Sequence, residues 1–177
     1  MSRYVPIVAG LLALSANLFA QTPDIDTPLL AAPANQREGA TVVKWKPDFT
    51  YDTLKGTNRL VCYDRSGQPG QQPFSLECTS LGNLERVAQN MKFEAMGDKK
   101  QAMLDAAEKD GTRVKPEFGS VFYNLGGADR EHARAHTTVA VPLATAQSLG
   151  LPDNNKMGGA WIMNAGTSTA HIMIPGH

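Results

Sequence analysis

The chain has 177 residues, with 17 basic and 17 acidic side chains, four histidines and two cysteines. This length is typical of one domain, and a content of 42% apolar and 19% charged residues argues against global disorder. A net charge of zero argues against a general binder of nucleic acid or of anionic membranes, because both need a basic surplus or stripe. Composition therefore leaves a neutral, globular, single-domain protein.

The first twenty residues are predicted to be a secretory signal peptide. They carry one charge, Arg3, followed by the apolar run 5–14 and by small Ala20 at the expected cut. The run is shorter than the roughly 20 apolar residues of a membrane span. We therefore expect residues 1–20 to be removed near Ala20 and the protein to be exported, to the periplasm or the medium, with no transmembrane segment in the mature chain. The alternative is an N-terminal helix of the domain.

Cys62 and Cys78 are expected to form a disulfide bond. Two cysteines in an oxidising compartment usually pair, and the intervening segment contains turn formers that let the chain fold back. These are Gly67, Pro69, Gly70 and Pro73. A redox-active or metal-binding thiol pair would need the C-x-x-C spacing that is missing here. The pattern favours a structural link.

Residues 21–39 are predicted to be a flexible Pro-rich leader. They contain three prolines and several small residues without a helical stripe, although Leu29 and Leu30 are able to dock on the domain. The domain itself is expected to span residues 40–177. Its first strand is predicted at 41–46 from an alternating pattern, and the next two at 59–63 and 74–79.

The middle of the chain is predicted to form two helices. The first has one apolar stripe, formed by Leu84, Val87, Ala88, Met91 and Ala95. Asn83 is its expected N-cap and Gly97 its stop. Asp98 and Gln101 have capping-box spacing and are expected to open a second helix that ends at Gly111.

Strand patterns return after Pro116. The apolar run 121–123 is expected to end in a turn at Gly126 and Gly127, and a β-branched strand is expected at 137–141. Residues 160–163 and 170–174 flank a Gly-containing turn, which predicts a closing hairpin. The order predicts an α+β domain with a mostly antiparallel sheet, a central helical pair and one disulfide staple.

Histidines near the C-terminus suggest a metal site. His132 and His136 are four residues apart, so a helix would place both imidazoles on one face. His171 or His177 is a candidate third nitrogen ligand, and Glu131 a candidate ligand or base. Such a cluster is suited to zinc or copper. The alternative is that these are ordinary surface or hydrogen-bonded histidines.

Methionines and tryptophans offer two further hypotheses. Met157, Met163 and Met173 accompany the histidines, and thioethers suit Cu(I). Methionines on strands nevertheless often fill a core. Trp45 and Trp161 are candidates for an aromatic binding face, with core packing as the alternative.

Four short segments resemble a group of small exported bacterial proteins of uncharacterised function. These segments are 56–62 (G-x-N-x-x-x-C), the second cysteine Cys78, 126–129 (G-G-x-D) and 171–175, where a histidine precedes an aliphatic–Met pair. Together they cover about 20 residues. The resemblance implies export and a disulfide-tied domain, and it implies no activity.

The functional prediction is a non-enzymatic binding or accessory protein of the cell envelope, without a cofactor. Its expected partner is a small molecule or another envelope protein. Ser168 and His171 lack both a G-x-S-x-G elbow and an orienting carboxylate, which argues against nucleophilic catalysis. The alternative is a metal-binding protein or metal-dependent hydrolase that uses His132, His136 and His171. A third hypothesis is an interaction protein that uses its Trp-bearing sheet or its leader.

Overall fold

A single mixed β-sheet organises the domain. The computed structural model describes residues 23–176, so the predicted signal peptide and His177 lie outside the described residues. The strands are β1 (Thr41–Trp45), β2 (Tyr51–Lys55), β3 (Leu60–Asp64), β4 (Phe74–Ser80), β5 (Val121–Gly127), β6 (Arg134–Ala140), β7 (Trp161–Met163) and β8 (His171–Pro175). Their order in the sheet is β2-β1-β3-β4-β5-β6-β8-β7. Of the neighbouring pairs within the described residues, β1 and β3 alone run parallel.

Two helices follow one another between β4 and β5. They are α1 (Leu84–Glu94) and α2 (Lys100–Asp110), and a short helix, α3 (Ala146–Leu149), comes later in the chain. Helix α1 buries the predicted stripe of Leu84, Val87 and Met91 against β1 and β3. The predicted α+β class with a mostly antiparallel sheet and a helical pair is confirmed. No helix within residues 23–176 is long and apolar enough to cross a membrane.

Asn83 ties α1 to the sheet instead of capping it. Its side-chain amide donates to Thr79 Oγ1 (2.8 Å) and Ser120 Oγ (2.9 Å), and its Oδ1 accepts from the backbone N–H of Glu117 (2.8 Å). No side-chain cap bond forms at the start of the helix. A fully buried amide must satisfy all its polar groups, and here the partners lie on the sheet and on the loop before β5.

The end of α2 agrees with the prediction from the sequence, but its start does not. The capping box of Asp98 and Gln101 was a wrong prediction, because a 3-10 turn at Gly97–Lys99 leads directly into the helix and no side-chain cap bond forms. The Gln101 amide donates to Asp105 one helical turn later. The stop at Gly111 is confirmed, with the left-handed backbone (φ 76°) that glycine adopts without a Cβ clash.

Two strand predictions need correction. Strand β2 was not predicted, because its residues are mostly exposed and alternate poorly. Gly126 and Gly127 are the last residues of β5 and not a turn. A Cβ on Gly127 would lie 2.7 Å from the carbonyl oxygen of His132, so glycine allows the following loop to return closely over the strand.

The predicted disulfide links Cys62 and Cys78, which are directly opposed on β3 and β4. Both cysteines are fully buried, and Leu29 and Ala32 cover them. Within the leader predicted at 21–39, residues Pro28–Ala31 form a 3-10 turn that docks through Leu29, as the sequence allowed. The physical reason is that the disulfide leaves an apolar patch on the sheet, which the leader covers.

Replacing Leu29 by alanine is expected to lower the free energy of unfolding by about 2 kcal/mol or more, as is usual for buried leucines. Leu29 is 7% exposed and packs on the disulfide. Urea denaturation measures the loss. Leu30→Ala is the matched control, because Leu30 is only half-buried, and it is expected to cost less. Equal small losses in both variants would contradict docking of the leader.

Candidate functional site

A cavity of about 300 Å³ lies between the two helices and the sheet. This volume is at the lower end of the range of small-molecule sites, which is about 300–1,000 Å³. Both helices, the loop after α2 and three strands contribute to its wall. The wall includes Arg86, Asn90, Phe93, Glu94, Lys100, Leu104, Arg113, Phe122, Thr138 and His171.

Strand register explains why β5, β6 and β8 form the floor of this cavity. Phe122 is opposite Thr138 across β5 and β6, and Ala140 is opposite His171 across β6 and β8. Directly opposed residues project from the same face of a sheet. Helix α1 covers this face at β1 and β3. The floor of the cavity is the part of the same face that lies beyond the helix, on β5, β6 and β8.

Two buried arginines give the cavity its charge. Arg86 is 7% exposed and Arg113 is 6% exposed. The Arg86 guanidinium donates through Nη1 to the carbonyl oxygen of Val114. Within residues 23–176, neither guanidinium has a carboxylate oxygen within 4.0 Å. Buried charges are normally paired, so this arrangement is unusual.

Neutral amides hold Arg113 in place. Its Nη1 donates to Gln89 Oε1 and its Nη2 to Asn90 Oδ1, each at 2.5 Å. Its guanidinium lies 5.4 Å from the centre of the Phe93 ring, a distance at which the ring face attracts a cation. Its Nε is buried without a hydrogen-bond partner within the described residues. The charge is oriented but not neutralised.

The carboxylate in the wall is already paired elsewhere. Glu94 Oε2 lies 2.5 Å from Arg65 Nη2, and Glu94 Oε1 lies 3.4 Å from Lys100 Nζ. The Gln71 amide also donates to Glu94. These contacts leave little of its negative charge for Arg86 and Arg113.

The electrostatics of the two arginines reflect this shortage of negative charge. Burial, and to a smaller extent the charge of Arg113, lowers the pKa of Arg86 to about 10, although Glu108 acts in the opposite direction. Burial also lowers the pKa of Arg113, against the charges of Glu108 and Glu94. Because desolvation disfavours a charged form, an anion entering the cavity would relieve both residues.

The far wall of the cavity is polar. Thr169 and His171 line it, and beside Thr169 the Ser168 hydroxyl donates to Glu108 Oε1, which links the β7–β8 turn to α2. The Nδ1 atom of His171 lies 2.8 Å from the carbonyl oxygen of Thr169. A carbonyl only accepts, so Nδ1 carries a proton, and in the neutral imidazole Nε2 is then an acceptor. His171 therefore offers one acceptor at the edge of the cavity.

The three histidines predicted as a metal site lie on separate parts of the structure. His132 is in the bend before β6, with Nδ1 2.8 Å from Asp129 Oδ1. His136 is on β6. The residue opposite His171 on that strand is Ala140, four residues further on, so the two histidines are separated by roughly 14 Å along the strand direction. The helix assumed for the pair 132–136 does not form, because these residues enter β6. No group of three or more His, Cys, Asp or Glu side chains in the described range is placed to hold a metal ion.

The remaining candidates are also distributed. Glu131 lies in the exposed turn, where its backbone N–H donates to Asp129 Oδ1. Burial, and then the charge of His171, lowers the pKa of His136. Trp45 packs in the core cluster on β1, whereas Trp161 lies on the edge strand β7 at the other end of the sheet, so the two rings are too far apart to form one binding surface.

The two arginines were not predicted as site residues. Arg86, Asn90 and Phe93 have i, i+4 and i+7 spacing, which places them on one side of α1 beside its apolar stripe. This spacing is the feature of the sequence that could have indicated a polar site on α1. It did not reveal that Arg113, from a loop 27 residues after Arg86, closes the same cavity.

The fold and this cavity define a disulfide-linked α+β protein with two buried arginines in a concave site. In comparisons with known proteins, no family model, no curated protein and no solved structure matches the chain. The function therefore has to be inferred from the site itself.

Proposed function

We propose that this is an exported binding protein that holds a small organic anion in the arginine cavity. The observation that carries the proposal is the pair Arg86 and Arg113, both buried in the cavity wall without a carboxylate partner in the described range. An unpaired buried charge is costly. A carboxylate or phosphate group between the two guanidiniums would supply charge-assisted hydrogen bonds and remove that cost.

The apolar part of the wall suggests the rest of the ligand. Phe93, Leu104 and Phe122 line the same cavity as the two arginines. Ligand sites combine such apolar surface with a few polar groups that orient the ligand. A compact anion with an aromatic or aliphatic portion fits this combination better than a bare inorganic ion does.

Export is supported by the disulfide. The Cys62–Cys78 bond is typical of oxidising compartments, and the predicted signal peptide at 1–20 agrees with it. The resemblance to small exported bacterial proteins points the same way. Within this proposal the protein works in the periplasm or outside the cell as a binding or accessory protein of the envelope.

Replacing Arg86 by methionine is expected to weaken binding of an aromatic carboxylate by about tenfold to a hundredfold, because hydrogen bonds to charged groups contribute about 1.5–3 kcal/mol. Methionine keeps an apolar stem in the wall and removes the charge. Benzoate is the probe, with benzamide as its neutral counterpart. Titration calorimetry measures affinity, and amide NMR shifts locate the ligand.

Arg130→Met is the matched control, because Arg130 is exposed in the loop before β6. It is expected to leave benzoate binding unchanged. Shifts centred on α1 and the loop after α2, absent with benzamide, would support the cavity. Benzoate binding that survives in the Arg86 variant, or equal binding of benzamide, would overturn the proposal.

A further inference from the structure

The closing hairpin gathers sulfur and nitrogen donors on one face of the sheet. Met163 on β7 is directly opposite His171 on β8, and Trp161 is directly opposite Met173. Residues two apart on a strand share a face, as do directly opposed residues. These four side chains therefore form one patch, the His–Met patch, on the face that also forms the cavity floor.

The register brings three donors within reach of one ion. Opposed side chains have Cβ atoms about 4.5–5.5 Å apart, and residues two apart on a strand are separated by about 6.5 Å. Met163 and Met173 each have a long, flexible thioether side chain. Both sulfurs can therefore approach the imidazole of His171.

The orientation of His171 suits a metal ligand. Its Nδ1 is hydrogen bonded to the carbonyl oxygen of Thr169 at 2.8 Å. Metal-binding histidines usually donate their other ring N–H to a carbonyl or carboxylate in this way, which fixes the ring and the tautomer. The Nε2 atom has no hydrogen-bond partner within residues 23–176.

The surroundings leave the patch open. Met163 is 40% exposed on its strand, and Met173 and His171 are half-buried. The neighbours on β6 are small, with Thr138 beside Met173 and Ala140 beside His171. An exposed thioether on a sheet face fills no core, in contrast to the usual role of methionine.

We propose that the His–Met patch binds one Cu(I) ion through His171 Nε2 and the thioether sulfurs of Met163 and Met173. Thioethers are soft ligands that favour Cu(I) over harder divalent ions, and imidazole is a common ligand of copper. Trp161, opposite Met173, would shield the ion and offer its ring face to the cation. The site shares only His171 with the predicted His132–His136–His171 cluster.

Ag(I) is the probe, because it is soft, monovalent and stable to air. Untagged protein with labelled methionine methyl groups is titrated in chloride-free buffer. We expect one equivalent of Ag(I) to shift the methyl signals of Met163 and Met173 and to quench Trp161 fluorescence. Met163→Leu and Met173→Leu, which keep side-chain size, are each expected to weaken Ag(I) binding by about tenfold or more. Zn(II) is expected not to displace Ag(I).

Met157→Leu is the control, because Met157 is 83% exposed and lies outside the patch. It should bind Ag(I) as the unaltered protein does. The proposal is overturned if both patch variants retain full affinity, or if only the Met157 signal moves. Arg86→Met removes a positive charge and should not weaken Ag(I) binding, so failure of this site and failure of the anion cavity are separate results.

Discussion

Replacing Glu94 by glutamine is expected to lower the free energy of unfolding by about 3–5 kcal/mol, the usual cost of leaving one buried charge unpaired. Glu94 and Arg65 form an ion pair at 2.5 Å, with side chains only 11% and 4% exposed. The pair joins the end of α1 to the segment after β3. Urea denaturation of the variant and the unaltered protein measures the difference.

The exposed pair of Lys46 and Asp52 is the matched control. These side chains are 42% and 63% exposed, and surface pairs contribute about 0–1 kcal/mol. Asp52→Asn is therefore expected to have a small effect. Adding Arg65→Met to Glu94→Gln should recover much of the loss, because the double variant buries neither charge. A Glu94 variant as stable as the Asp52 variant would contradict this explanation.

The same substitution also tests the charge balance of the cavity. Glu94 lines the cavity, and its carboxylate is ion-paired with Arg65 and Lys100. If the Glu94 variant still folds, it is expected to bind benzoate more tightly, because a negative charge has been removed from the wall. Weaker binding in a folded variant would argue against electrostatic attraction as the basis of affinity.

Removing the disulfide with Cys62→Ala and Cys78→Ala is expected to cost about 3 kcal/mol, the chain-entropy value for a loop of this length. The two cysteines are 16 residues apart and fully buried. Their bond also supports Leu29 and Ala32 from the leader. Urea denaturation without reductant measures the change.

Reductant provides the control for this pair. It should destabilise the unaltered protein by a similar amount and leave the double alanine variant unchanged, because that variant has no bond to break. A double variant within about 1 kcal/mol of the unaltered protein would mean that packing around β3 and β4 is sufficient without the covalent link.

Elements with strong local patterns were predictable from the sequence. The apolar residues of α1 recur with the period that places them on one side of a helix. The residues at 41–46 alternate with the two-residue period that places every second side chain on one face of a strand. Strand β2 was missed because it is an edge strand with little buried surface. The sequence predicts only a local role for Asn83 as a cap, whereas tertiary contacts bring its partners Thr79, Ser120 and Glu117 to it.

The candidate site was less predictable, for a physical reason. Arg86 and Arg113 look like ordinary surface charges, because the burial of a side chain depends on elements far away in sequence. The spacing of His132 and His136 was misleading instead, since it suggested a shared helix face where the chain forms β6. Pairing of β8 with β6 and β7 decides which donors lie together.

The sequence by itself determined most of the local elements and the cysteine pair of this protein, because periodicity, turn formers and spacing act between residues close along the chain. Only the tertiary structure decided that two arginines share a cavity and that Met163, His171 and Met173 share a face. Strand register and helix docking are set by packing between distant segments. Those long-range choices created both proposed sites.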